Sequence, residues 1–412
     1  MLQLRLKHRT GWKVRTFYGI VLLLFTASDG VFIILFPLYL KQIGYSYSQI
    51  GSLLASSGLG IAAFKVIVGR HSDFVGRKIY VILSLLLSAV STAAIGFIRP
   101  MALLAAVLLI RGIAKGAFFA VRAPYIRELS APEDRGKAFG VISAFGSGGG
   151  VVSGLLAGLI TFRGNHGDMF LILSAFYLCG AGIALLTLPG RTRTAREKNG
   201  RNPEKPKFRQ ALRMLFRIPA NIRSLCLVNV IEGIATQPLW DIVFPVYLTG
   251  PMNLSDSAMG GVYSADNILS IPAQLGGGIL SDRFHKKRLS VFVFLILSML
   301  GFFLSKIHYP AFFVAVLLAF EVLFSLSNPV LETVESLSAR EDKPGFDLSL
   351  VSFCYAVGTL VGDIIVGKIM DLYGASAGFV FVGIAFLLAV FILQVGMSEK
   401  EGRKTFPQKD TL

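Results

Sequence analysis

Twelve runs of about twenty apolar residues recur along this 412-residue chain, and nothing else in it constrains the fold as strongly. A helix rises 1.5 Å per residue, so a run of that length crosses the roughly 30 Å of hydrocarbon in a bilayer. In hydrocarbon every backbone N–H and C=O must find its partner inside the protein, which makes the helix the spanning form for such runs. They lie at 16–40, 50–68, 79–98, 101–125, 138–160, 169–188, 222–248, 256–280, 289–305, 310–337, 346–370 and 375–395. The chain is 54% hydrophobic, far more than a soluble core uses.

The runs also form one unit written twice. Phe36-Pro37-Leu38-Tyr39-Leu40 returns as Phe244-Pro245-Val246-Tyr247-Leu248, at an offset of 208 residues. Ser46, Ser48 and Gly51 return as Ser255, Ser257 and Gly260, and from there the offset is 209. The link between the second and third runs, Gly69-Arg70-His71-Ser72-Asp73-Phe74-Val75-Gly76-Arg77-Lys78, returns as Gly278-Ile279-Leu280-Ser281-Asp282-Arg283-Phe284, followed by Lys286-Lys287-Arg288. The expected fold is all-α and integral to the membrane: twelve transmembrane helices as two six-helix pseudo-repeats around a central cavity. The expected divisions are a bundle at 1–189, a basic linker at 190–221, a second bundle at 222–397 and a tail at 398–412.

The net charge of +17 suggests nucleic acid until the cations are located. They fall in the N-terminal tail, the even-numbered links and the C-terminal tail, whereas the odd-numbered links hold isolated ones: Lys41, Arg99, Arg163 and Lys306. That asymmetry places both termini in the cytoplasm of a multi-pass plasma-membrane protein and argues against a nucleic-acid partner. The basic start followed by an apolar run could be a signal peptide, but the run is too long and leads into further helices, so a retained first helix is expected. Ser46-Tyr47-Ser48-Gln49 has the form of a capping box opening the second helix. Within the linker, Phe208, Ala211, Leu212 and Leu215 repeat at helical spacing against Arg209, Arg213 and Arg217, the pattern of a basic helix on an anionic leaflet or of a solvated linker. Cys179, Cys226 and Cys354 have neither paired spacing nor a histidine cluster, so no disulfide framework or zinc site is expected.

The Gly69, Asp73, Gly76, Arg77, Lys78 spacing between two membrane runs resembles the signature loop of the major facilitator superfamily. The second copy departs from it: His285 follows Phe284, and no glycine precedes the basic cluster. The run Asp29-Gly30…Phe36-Pro37-Leu38…Gly44-Tyr45-Ser46…Gly51 resembles the drug:proton antiporter branch of that superfamily. Gly146, Gly150, Gly154 and Gly158 put glycines on one face of the fifth helix, where another helix can approach closely. They resemble the family's glycine-rich fifth helix without the Gly-Pro pair of its antiporters. The resemblance implies transport by alternating access. It also implies a gating role for the loop, with Asp73 meeting the start of the eleventh helix near 346–350; Gly278, Asp282 and Arg283 stand at the equivalent place in the second half.

Charged residues at bilayer depth are costly and face a cavity or a partner. The third, sixth, ninth and twelfth runs contain none, which marks them as lipid-facing. The candidates for a proton or substrate pathway are Asp29, Arg111, Lys115, Glu232, Asp266, Asn267, Glu321 and Asp363; Asp241 also lies within a run. Asp29 sits midway along the first run, with Arg111 and Lys115 of the fourth as prospective partners. It is either a proton carrier or half of a static Asp29–Arg111 pair. Arg111 resembles the arginine of the family's fourth-helix motif, although the glycine expected four residues on is Lys115. Trp240 and Tyr247, near one end of the seventh run, are expected as membrane-interface anchors.

Neither a nucleophile–base pair, a phosphate loop nor a metal-ligand cluster is legible, so neither an enzyme nor an ATP-driven pump is expected, and no cofactor. The expected function is secondary active transport of a small organic solute, as proton-coupled efflux by a monomer whose partners are the solute, protons and the bilayer. Uptake or facilitated passage of an organic anion or sugar-like metabolite, with Arg111 and Lys115 holding an anion, is the alternative. A membrane receptor that no longer transports is the third.

Overall fold

The computed structural model describes residues 2–128, 135–162, 166–189, 218–340 and 344–397. The expected amphipathic stretch at 208–217 and the tail at 398–412 lie outside these residues. Among these described residues twelve helical segments follow one another: α1 (Leu2–Gln42), α2 (Tyr47–Val75), α3 (Arg77–Ile95), α4 (Met101–Glu128), α5 (Arg135–Phe162) and α6 (His166–Thr187). In the second half, α7 runs Ala220–Pro238 and continues through a π-helical turn, Leu239–Val243, into Phe244–Thr249. It is followed by α8 (Asp256–Arg283), α9 (Lys286–Leu304), α10 (Pro310–Ser338), α11 (Pro344–Tyr373) and α12 (Ala377–Gly396).

Local chemistry sets the helix starts. The Ser46 hydroxyl accepts from the Gln49 N–H (3.3 Å) while the Gln49 side chain accepts from the Ser46 N–H (2.9 Å), closing the capping box that opens α2. In the second copy Ser255 caps α8 by accepting from the Ala258 N–H at 3.2 Å. The stretch 69–78 differs from the expected link: it is helical through Val75, and Gly76 alone (φ 104°) breaks the chain direction before α3 begins. That backbone region is open essentially only to glycine.

The duplication persists in the tertiary bonds. Lys78 Nζ donates to the Leu185 and Leu188 carbonyls (2.8 and 2.7 Å), capping α6, and Lys287, 209 residues on, does the same for Gln394 and Met397 at the end of α12 (3.2 and 2.5 Å). A cation there also opposes the negative end of the helix dipole. The Ser174 hydroxyl bonds the Ala89 carbonyl across α6 and α3; at the equivalent crossing the Ser298 hydroxyl of α9 bonds the Gly383 carbonyl of α12.

Helices α3, α6, α9 and α12 lie outermost, with Val90, Leu186, Phe292 and Phe391 among their exposed side chains. Eight stretches among the described residues are long and apolar enough to cross a membrane. Outside that set stand α2, α5, α7 and α8, which are richer in glycine and polar residues. Three of them form the seams between the halves, where small residues let backbones meet. At the α5–α8 seam, a side chain at Gly154 would strike the Gly260 carbonyl and the Ser264 hydroxyl. At the pseudo-equivalent α2–α11 seam, one at Gly51 would strike the Asp363 carbonyl.

Candidate functional site

Helix spacing builds the centre of the first half. Arg111 and Lys115 are four residues apart on α4 and so share a face. Gly112 and Gly116 share the adjacent face, where α2 approaches so closely that a Cβ at either would meet the Ser57 or Ile61 backbone. Moving the glycine from position 115 to 116 therefore leaves α4 close to α2 while aiming a second cation inward.

Both cations reach Asp29. Arg111 donates from Nη2 to Asp29 Oδ1 at 2.5 Å, and Lys115 Nζ lies 2.8 Å from Oδ2. Arg111 also donates to the Tyr177 hydroxyl (3.2 Å) and the Thr92 hydroxyl (3.3 Å), and its guanidinium sits 3.6 Å over the Phe32 ring. The Arg111 side chain is 4% exposed and that of Lys115 21%, so Lys115 is the partner closer to solvent. Gly30 beside Asp29 is packed against the Ser153 side chain of α5.

The second half carries acids where the first carries an ion pair. Asp266 and Glu321 share a small cavity with Trp240 and Tyr263, of about 10 Å³, about the space of one water. Glu321 Oε1 is buried there without a hydrogen-bond partner. Asn267, adjacent in sequence, points elsewhere: its Nδ2 donates to the Tyr263 carbonyl and its Oδ1 faces Gly150 in the α5–α8 seam. Glu232 is buried on α7, and Asn229, three residues earlier, donates to Glu335 on α10 (2.7 Å). Asp363 is buried on α11 with Oδ1 unpartnered. Gly362 beside it packs on Pro238, at the edge of the π-helical turn that holds Asp241.

Asp241 received no role from the sequence, yet it is buried with Oδ1 unpartnered and Oδ2 bonded by Gln237 (2.9 Å). Its signal in the sequence was its charge within an apolar run; the π turn that holds it is a feature common at functional sites. Trp240 and Tyr247 are corrected. Tyr247 is buried against Phe313 and Phe379, and Trp240 packs on Phe244 and Tyr263, so both belong to the bundle interior and not to the membrane interface.

Of the loop residues, Arg77 pairs within its own half, with the Pro124 carbonyl (2.6 Å) and Glu128 (2.7 Å) at the end of α4. The side chains of Asp73 and Asp282 lie outside the described residues, as does the environment of Gly69. Gly278 has open space around it and Arg283 is exposed. At the start of α11, Asp347 is bound by the Arg340 backbone N–H and guanidinium (2.9, 2.9 and 2.6 Å).

A clasp the sequence did not reveal holds the opposite end. Asp371, in the last turn of α11, accepts from the Tyr47 N–H (2.9 Å), the Ser48 N–H (2.8 Å) and the Ser48 hydroxyl (2.5 Å) at the start of α2. With the glycine contacts at Gly51, Gly154, Gly158 and Gly367, this closes the halves at the end carrying the α1–α2 and α7–α8 links. Toward the other end, Gly276 on α8 meets nothing within 4 Å, and Leu275 and Ile279 are exposed.

Two six-helix halves, joined at one end around buried charges, define a secondary transporter. The family profile of the Major Facilitator Superfamily matches residues 18–362 and 225–410, and the chain belongs to that superfamily. It is 23% identical over 350 residues to Multidrug resistance protein 1 of Bacillus subtilis (strain 168), covering 83% of this chain and 86% of that one. Against Multidrug efflux pump Tap of Mycolicibacterium fortuitum it is 25% identical over 395 residues, covering 89% and 92%. Among solved structures, a bacterial homolog of the human lysosomal transporter Spinster, in an inward-facing and unoccupied conformation, shares the fold with a TM-score of 0.73 at 15% identity. That match covers 94% of this chain and 95% of the other.

Proposed function

We propose that this transporter exports a small organic solute in exchange for protons, by alternating access. The carrying observation is Asp29: a carboxylate midway along a membrane-spanning helix, with both oxygens held by cations of one neighbouring helix. A proton taken up by Asp29 releases Lys115 and Arg111, so protonation and helix position are coupled through two short bonds. The multidrug efflux relatives support organic solutes as the cargo. Glu232, Asp266, Glu321 and Asp363 supply further acids for protons or a cationic solute, and Asn267 a polar side chain at the α5–α8 seam. Asp73 and Arg77 gate the side on which the halves splay.

The cations of the 69–78 stretch and of the terminal tails put that side in the cytoplasm of a plasma-membrane protein. The conformation is then open inward, with the units 1–189 and 222–397 joined by the linker 190–221. A cysteine placed at Asn199 is expected to react with an impermeant maleimide only after the membrane is breached; labelling of intact cells would reverse the orientation.

The second reading, passage of an organic anion, is favoured by the excess of Arg111 and Lys115 over Asp29. Proteoliposomes under an imposed pH gradient separate the two. Accumulation of a lipophilic fluorescent cation, abolished by a protonophore, is expected. Accumulation of organic anions with none of the cation would replace export of cations by the second reading.

A further inference from the structure

The two halves diverge where α8 meets α9. In the first half Gly76 alone separates α2 from α3, whereas in the second Phe284 and His285 both leave the helix. Beneath this wider link lies a cavity of about 560 Å³, within the roughly 300–1,000 Å³ of small-molecule sites. Its walls are apolar, with Leu280, Val293, Ile296 and Leu326 facing it, and its two basic lining residues are His285 and Arg288 at the start of α9. From Arg288 to Ile296 the α9 wall runs about 12 Å into the membrane at 1.5 Å per residue. Phe284 and Phe292 on its rim are 57% and 60% exposed, and α9 is an outer helix, so the groove opens sideways toward lipid.

A guanidinium and a neighbouring imidazole at the headgroup level above an apolar trough are complementary to one class of molecule. We propose that this groove holds an anionic phospholipid, its phosphate at Arg288 and His285 and an acyl chain along the α8–α9–α10 walls. The first half lacks the same chemistry. At the positions 209 residues earlier, Ile79 stands for Arg288 and Gly76 for His285, so this pair of residues is particular to the second half. A lipid seated there braces α8, which forms a seam with α5, against α9 and α10.

Native mass spectrometry of the full-length protein, stripped of lipid in detergent and titrated with phosphatidylglycerol or phosphatidylcholine of identical chains, tests this. One tight phosphatidylglycerol is expected, with phosphatidylcholine weaker. Arg288→Ile, which installs the residue of the first half, weakens phosphatidylglycerol about fivefold, the contribution of one cation at an anionic surface, and leaves phosphatidylcholine unchanged. Lys306→Gln, just beyond the far end of α9, changes neither. Ile296→Trp, which fills the trough, displaces both lipids. Equal binding of the two lipids by the unaltered protein, or equal losses from Arg288→Ile and Lys306→Gln, overturns the proposal. If Arg288→Ile does not fold, Ile296→Trp decides: tight phosphatidylglycerol retained in that variant overturns it.

Discussion

Asp29→Asn is expected to abolish solute accumulation against a gradient in proteoliposomes while leaving downhill exchange. The amide keeps the shape of the protonated acid but cannot cycle between the two protonation states. Lys115, the more exposed partner, is then free to find water. Arg111 keeps Tyr177, Thr92 and the Phe32 ring when the carboxylate is lost. These residual contacts set the size of the stability loss. Removing one partner of a fully buried pair costs about 3–5 kcal/mol, and the three remaining contacts of Arg111 place this variant at or below the lower end. A melting curve run beside the transport assay separates the roles. Accumulation driven by pH that survives in Asp29→Asn removes Asp29 as the coupling residue. Loss of all exchange together with a large fall in melting temperature leaves it a structural ion pair.

Asp371→Ala should unlatch the closed end. Its carboxylate accepts three hydrogen bonds from the first turn of α2, where free N–H groups and the helix dipole both favour an anion. Asp371 is solvent-exposed, so water competes for these bonds and their joint contribution is about 1–2 kcal/mol. That is a five- to thirtyfold change in the ratio of closed to open at this end. Spin labels on the α1–α2 and α7–α8 links, read by distance measurements in nanodiscs, should show the longer distance gaining population. An unchanged distribution would make the clasp incidental.

The outline of this architecture was legible because each spanning helix announces itself locally. Apolar length placed each helix, although α1 begins well before the apolar run at 16–40 and α2 continues past 68 to Val75; the Ser46–Gln49 box marked the start of α2, and the 209-residue offset paired the links before any contact was known. The lysine caps at Lys78 and Lys287 are that offset realised in hydrogen bonds. What stayed hidden depends on packing between distant segments. Asp371 reads as an ordinary acid at a helix end, since its partners lie more than 300 residues away. Trp240 and Tyr247 matched the pattern of interface aromatics because one helix's sequence does not say which neighbours cover it. Lys115 read as a lost glycine; only the approach of α2 to Gly116 explains why the glycine moved by one position. The unpartnered oxygens of Asp241 and Asp363 have no sequence signature beyond the charge of each within an apolar run.

The two seams between the halves occupy equivalent places and share close glycine contacts, and the α2–α11 seam carries an ionised tie besides. Along α5 and α8, among the described residues, glycine and serine bring backbone against backbone. Along α2 and α11 the same end is tied by an ionised carboxylate that must be rehydrated before the helices part. Parting the halves at this edge therefore carries the hydration of a carboxylate, which a seam of glycine and serine contacts alone does not. The same edge also holds the Lys41 ammonium 3.8 Å over the Tyr47 ring, so an anion and a cation flank the start of α2 together.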